Sequence, residues 1–325
     1  MLHSVRRGRL SFCLVLALCG APMTLAQGSL STVDTDHDGI SDEYEQAVLE
    51  KFRPTIMVDA HDCAAKPASF AAGRHDPDVV SADGTVYGQV FPVSGDLVEV
   101  HYYTLWSRDC GRNSHALDAE HVSVLLANAR EQEPRALYWY AGAHENTVCD
   151  ISSGARSEVV SAEYSGAKVW SSSGKHALYL RKEMCDHGCG ADSCENDTEL
   201  DRIGPIINVG ELKAPANASF WIASPKWALS EKMDSDFPPD VRAQLATAGN
   251  AVVTVRGRSP VRGTLRRGDS VLSGATAATE HTGAALGAAD DHTSAGMGKA
   301  AKSTGGALKR AWKAVFGSKR AAGPN

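Results

Sequence analysis

Beyond residue 26 the sequence contains no run of about 18 apolar residues, so it offers no helix able to cross a bilayer after that point. G-x-S-x-G, H-E-x-x-H, the phosphate-binding P-loop and G-x-G-x-x-G are all missing. Their absence removes the motif grounds for a serine-hydrolase elbow, a helical zinc protease and a nucleotide-binding enzyme. His144-Glu145 starts like the protease motif but has no second histidine. Cysteine is scarce: of eight, Cys13 and Cys19 fall in the first 26 residues, which leaves Cys63, Cys110, Cys149, Cys185, Cys189 and Cys194. An even set fits three disulfides in an oxidising compartment, and spacing does not choose among the many pairings. The segment CDHGCGADSC (185–194) offers a competing zinc set with His187, but without the second matched pair that structural zinc sites carry.

What is present first is an export signal. Arg6, Arg7 and Arg9 precede an apolar stretch from Leu10 to Leu18, and Thr24-Leu25-Ala26 supplies a small-residue cleavage site. Residues 1–26 therefore predict a cleaved signal peptide and a secreted or periplasmic protein. Charge then divides the chain. Residues 27–254 hold 18 Lys+Arg against 35 Asp+Glu, whereas residues 255–325 hold 12 against 4. An acidic body followed by a basic tail is expected, with the tail suited to an anionic surface or to the body itself.

Four segments result: the signal at 1–26, a calcium-binding loop and helix at 27–53, a body at 54–256 and a tail at 257–325. The body is long enough for one core. Its stretches at 97–106, 121–127, 135–142, 167–174, 220–224 and 251–257 are short, rich in Val, Tyr, Trp and Thr, and bounded by Gly, Asp, Asn or Pro. They predict a mainly β protein, an antiparallel β-sandwich with few short helices. In the tail, residues 268–306 have almost no large apolar side chain, so disorder is expected there. Residues 306–320 set Leu308, Trp312, Val315 and Phe316 at helical spacing among Lys309, Arg310 and Lys313, a short amphipathic helix suited to an anionic membrane surface or to the acidic body.

The sharpest motif is DTDHDGISDEYE at 34–45. It places Asp34, Asp36 and Asp38 at positions 1, 3 and 5 of a twelve-residue Ca²⁺ loop, Gly39 at 6, Ile40 at 7, Asp42 at 9 and Glu45 at 12. Alternating carboxylates wrap a hard cation, Gly39 permits the turn, the Ile40 carbonyl adds an oxygen and Glu45 closes the shell. The bland alternative is a solvated acidic loop capping the helix from about Asp42 to Phe52, which Pro54 stops. No helix precedes the loop, so it resembles the single calcium loops of thrombospondin type 3 and dockerin repeats, which implies a structural role.

A second polar set lies in NSHALDAEHVSVLLA (113–127). If Val122, Val124 and Leu126 face the core, Asp118 and Glu120 point the same way and His121 the other. Two inward carboxylates are costly unless a metal or a basic partner compensates them. A lone histidine is more often a hydrogen-bonded core or surface residue than a ligand.

This segment resembles the H-x-G-D-W-E-x-V stretch of proteins similar to vacuolar protein sorting-associated protein 62. More remotely it resembles the G-H-R-H-D-W-E heptapeptide of the necrosis-inducing cytolysins. VLEKFRPTIMVD (48–59), YWYAGAH (138–144), WSSSGKHALYL (170–180) and INVGELKAPANASFWIASPKW (207–227) follow in the same order, so the resemblance spans roughly residues 48–230. It implies a β-sandwich and, by the cytolysin analogy, a divalent cation near one end. Asp118 and Glu120 match the acidic pair, His115 the first histidine, and His144 and His176 the two later ones. The motif's Gly is Leu117 here and its Trp is Ala119. Mixed carboxylate and imidazole ligands suit Mg²⁺, Mn²⁺, Ca²⁺ or Zn²⁺ alike; His121 ranks second as a ligand on parity.

These features predict a secreted, calcium-binding, disulfide-bonded β-sandwich acting through surface, membrane or partner contact. A metal-dependent hydrolase using Asp118, Glu120 and the histidines is one alternative, because an open metal position makes hydroxide near neutral pH. A cytolysin-like toxin is the other. Whether the protein is an enzyme, and its oligomeric state, stay open at this stage; a nucleic-acid partner is not expected.

Overall fold

A computed structural model describes residues 33–255, except 112–113, 128–132, 148, 190–191, 196 and 203. The signal segment and the tail, including 306–320, lie outside the described residues.

Helix α1 (Asp42–Lys51) comes first. Strands β1 (Thr55–Asp59), β2 (Val86–Ser94), β3 (Leu97–Asp109), β4 (His115–Ala127) and β5 (Arg135–Ala141) follow. After them come β6 (Ser153–Arg156), β7 (Lys168–Ser171), β8 (Leu178–Tyr179), α2 (Lys182–Asp186), β9 (Asp197–Glu199), β10 (Ile207–Asn208), α3 (Pro239–Thr247) and β11 (Val253–Thr254). One sheet runs in the order β10-β2-β3-β4-β5-β6-β11 and a smaller one in the order β8-β7-β1-β9. The protein is mainly β, with these two sheets sharing one core, as the strand-like stretches predict; the expected antiparallel pairing holds except that β1 pairs with β7 and β10 with β2 in parallel. Among the described residues no helix is long and apolar enough to cross a membrane.

The parity of β3 and β4 decides what goes where. Val100 pairs with Val124, Tyr102 with Val122, Thr104 with Glu120 and Trp106 with Asp118. Val100, Tyr102, Val122 and Val124 enter the main core with Ile56 and Val58 of β1, Val169 of β7 and Leu178 of β8. Each such side chain, fully buried, contributes about 1.5–3 kcal/mol. The alternate residues Glu99, His101, Tyr103, His121 and Ser123 face the other side and are buried as well, because the segment from Leu229 to Leu245 covers that face.

Helix α1 starts where Ser41 accepts from the Tyr44 N–H, carries Asp42, Glu43 and Glu45 in its first turn and ends with Lys51. That charge order suits the helix dipole. Val48, Leu49 and Phe52 bury its inner face. Leu49 comes so close to β2 that a Cβ at Gly88 would collide with it, which requires glycine there.

One expectation differs in detail, and the three expected disulfides are found. Residues 220–224 form a 3₁₀ turn, Phe220–Ala223, rather than a strand. Asn217 and Ala218 adopt left-handed backbone just before it, and the turn sets Trp221 against Phe70, Tyr87 and Trp227. The disulfides are Cys63–Cys110, Cys149–Cys189 and Cys185–Cys194. The cysteines of 185–194 are therefore bonded, and His187 faces the Glu183 carbonyl instead of a metal set.

Candidate functional site

The acidic loop closes on itself before the body is reached. Asp34 accepts from the Asp38 and Gly39 N–H groups, and Asp38 accepts from Ile40 N–H at 2.7 Å. Gly39 takes φ 91°, the left-handed value position 6 needs. Asp42 turns back to accept from the Thr35 N–H and hydroxyl. Carboxylate oxygens of Asp34, Asp36 and Asp38 lie within 4.8 Å of one another.

Asp36 is 5% exposed and Glu45 1%. Both Asp36 oxygens, Asp38 Oδ2 and Glu45 Oε1 are buried with no hydrogen-bond partner. Burial, and then the neighbouring carboxylates, push Asp36 up to about 7 and Glu45 up to about 9. Glu45 Oε2 accepts from Asn208 Nδ2 at 2.8 Å, which ties the loop to β10 of the body.

The second set sits where β4 overhangs its neighbour. Pairing of β4 with β5 begins only at Val122, and the His121 carbonyl still accepts from the Gly142 N–H, so residues 115–120 have β3 on one side and an open edge on the other. His115 is exposed, 3.7 Å from Asp109. Asp109, His115 and Asp118 place one ligand atom each within 4.8 Å of the others. Asp118 receives His176 Nδ1 at 3.0 Å, and His176 stacks on Trp106 at 3.9 Å with Asp62 beyond its other nitrogen.

Glu120 has a different partner. It pairs with Lys232 Nζ at 3.0 Å, and the same ammonium donates to the Ala119 carbonyl on the free edge. Burial pushes Glu120 up to about 7 against the pull of Lys232. His144 lies 2.6 Å from Asp192, whose carboxylate also takes Lys175 and the Tyr179 hydroxyl. Burial would raise Asp192, but these partners, His144 foremost, hold it below the ordinary carboxylate value.

Of the five expected residues the structure thus groups His115, Asp118 and His176, and seats Glu120 and His144 on partners of their own. Asp109, Asp62, Asp192 and Lys232 were not singled out by sequence. Asp109 and Asp62 carried no motif signal, while the sequence required a metal or a basic partner for the inward carboxylates without giving its position. Leu117, His144 and His176 all adopt positive φ, between 52° and 63°. Leu117 therefore takes the left-handed conformation that the motif's Gly would adopt without strain.

No protein-family model and no curated protein matches the chain. Among solved structures it is similar to NLPPya in complex with glucosamine, at 14% identity over 66% of this chain and 98% of that one, TM-score 0.39. It is similar to a protein described as a toxin fold for microbial attack and plant defence, at 14% identity over 62% and 88%, TM-score 0.37. It is also similar to Necrosis and Ethylene inducing Protein 2 from the causal agent of cocoa's Witches Broom disease, at 16% identity over 57% and 83%, TM-score 0.34. Likeness at this level carries no activity over to this chain.

Proposed function

We propose that the protein is an exported, calcium-stabilised β-sandwich, similar to the vacuolar sorting 62 family, that engages a cell-surface ligand without turnover. The observation that carries calcium is the set of buried, partnerless carboxylate oxygens of Asp36, Asp38 and Glu45. Burying such atoms costs several kcal/mol unless a cation takes them. The donors are all oxygen, which suits a hard ion. Asp34, Asp36, Asp38, Glu45 and the Ile40 carbonyl would hold Ca²⁺, with Asp42 at the position that often ligates through water. Because Asn208 grips Glu45, the ion would fix the mature N-terminus to the body. Three disulfides support export through a cleaved signal to a secreted or periplasmic location.

The ligand-facing part is the cluster of exposed His115, half-buried Asp109 and buried Asp118, backed by His176. It would hold a second divalent cation, Mg²⁺, Mn²⁺, Ca²⁺ or Zn²⁺, or pair directly with a cationic ligand group. The test is elemental analysis and ligand titration of the mature protein beside Asp34→Ala/Glu45→Ala and Asp118→Ala. Calcium lost only in the first variant and a second metal lost only in the second support the reading. Calcium content unchanged in the loop variant contradicts it. Glucosamine and anionic vesicles are the probes for ligand. Dye release that needs residues 306–325 would move the assignment to the cytolysin-like toxin, and turnover abolished by Asp118→Asn would move it to the metal-dependent hydrolase.

A further inference from the structure

The outer face of the larger sheet carries a second histidine cluster, remote in character from the exposed one. His101 on β3 and His121 on β4 are both 0% exposed. They lie on diagonal cross-strand positions, since Tyr103 pairs with His121 and His101 with Ser123. Their rings are stacked 5.4 Å apart at 10°. Both Nε2 atoms turn toward Asp236 Oδ2, at 3.6 Å from His101 and 2.9 Å from His121. Asp236 arrives on the covering segment just before α3. Glu99 Oε1 stands 2.7 Å from His101 Nε2, and Ser235 and the Asp236 N–H hold that carboxylate in place.

The outward nitrogens differ in their surroundings. Tyr103 donates its hydroxyl proton to Gln89 Oε1 at 2.7 Å, which leaves its oxygen to accept from His101 Nδ1 at 3.1 Å. His121 Nδ1 faces Glu145 Oε2 at 3.5 Å, and Glu145 is itself held by Tyr140. His101 therefore has an acceptor on both sides, while His121 Nδ1 has Glu145 near it but no hydrogen-bond partner. A neutral His101 carries one N–H and can satisfy only one of its two acceptors. A cation in place of the inner protons leaves each ring an N–H to turn outward, on His101 toward Tyr103 and on His121 toward Glu145. That is the arrangement in which ligating histidines donate their outer N–H to a carboxylate or another oxygen.

We infer that His101, His121 and Asp236, with Glu99 beside them, form a buried transition-metal site for a Zn²⁺-like dication. Two imidazoles select such an ion over Ca²⁺ or Mg²⁺. The three ligand atoms already lie within 4.8 Å of one another. The ion would clamp the segment that carries Lys232 and Asp236 onto the sheet. Being enclosed, it would enter as the chain folds, as structural zinc does. This inference is independent of the calcium loop and of the exposed cluster.

The test is refolding of the mature protein with Zn²⁺ or Co²⁺, removal of free metal, and elemental analysis with the visible spectrum of the cobalt form. One retained equivalent that persists in Asp34→Ala/Glu45→Ala and in Asp118→Ala is expected in the wild type, and that equivalent is lost in His101→Gln or His121→Gln that fold by circular dichroism. Failure of the folded wild type to retain metal overturns the site, as does retention in both histidine variants. Should the variants not fold, ¹⁵N histidine spectra of the wild type decide. Loss of the Nε2 protons on zinc loading supports the site, and two doubly protonated rings in the presence of zinc overturn it.

Discussion

Lys232 and Glu120 form an ion pair of 3.0 Å between two side chains that are 8% and 7% exposed. It occupies the edge that β4 leaves open and satisfies the Ala119 carbonyl at the same time. The inward-facing carboxylate that parity places at the sheet end is thus compensated by a lysine from a distant segment.

Removing one partner of such a pair leaves the other charge buried and alone. Lys232→Met is expected to lower unfolding free energy by about 3–5 kcal/mol, measured by urea denaturation. Adding Glu120→Leu should restore most of it, because two apolar side chains of similar volume replace the pair. A single-variant cost below about 1 kcal/mol would show that the pair does not carry the burial of Glu120.

The loop carboxylates set the pH dependence of the metal-free protein. Asp36 and Glu45 have folded values of about 7 and about 9, above the ordinary 3.8 and 4.5. Across that interval the folded protein holds protons that the unfolded chain has released, so stability falls as pH rises. The contribution is complete below about pH 4 and is lost as pH passes through the two folded values. Melting temperature without calcium should therefore decline from mildly acidic to alkaline pH, and saturating Ca²⁺ should remove the decline. A flat profile without calcium would contradict the placement of these groups.

The disulfides close spans of unequal length, 47 residues for Cys63–Cys110 and 9 for Cys185–Cys194. On the loop-entropy view the first contributes about 4 kcal/mol and the second about 2.5 kcal/mol. Paired Cys→Ser variants, compared by denaturant midpoint, should follow that order. The reverse order would mean that the short loop around α2 is held mainly by the bond.

How much of this was legible in the sequence depends on what each residue answers to. The tight acidic turn at 34–42 was legible because Asp34, Asp38 and Gly39 are local turn signals, and α1 because Ser41, its acidic first turn and Pro54 are local signals. The inward turn of Asp118 and Glu120 followed from strand alternation alone. His101, Tyr103, His121 and Ser123 were not readable as interior, because their alternation with apolar residues is what a solvent-facing strand shows as well. Only the fold of residues 229–245 over that face buries them. Lys232 and Asp236 were hidden for the same reason: their partners lie more than a hundred residues away in sequence. Phe220–Ala223 misled by composition, since two consecutive buried side chains, Trp221 and Ile222, suit a 3₁₀ turn as well as a strand buried on both faces.

Calcium titration of the chelator-treated mature protein, followed by calorimetry and by melting temperature, tests the central claim most directly. One high-affinity site is expected, absent in Asp34→Ala/Glu45→Ala, with a stability gain of about 2.7 kcal/mol when free Ca²⁺ is about 100 times Kd. Absence of calcium binding in the folded wild type, or identical binding in the loop variant, would contradict it.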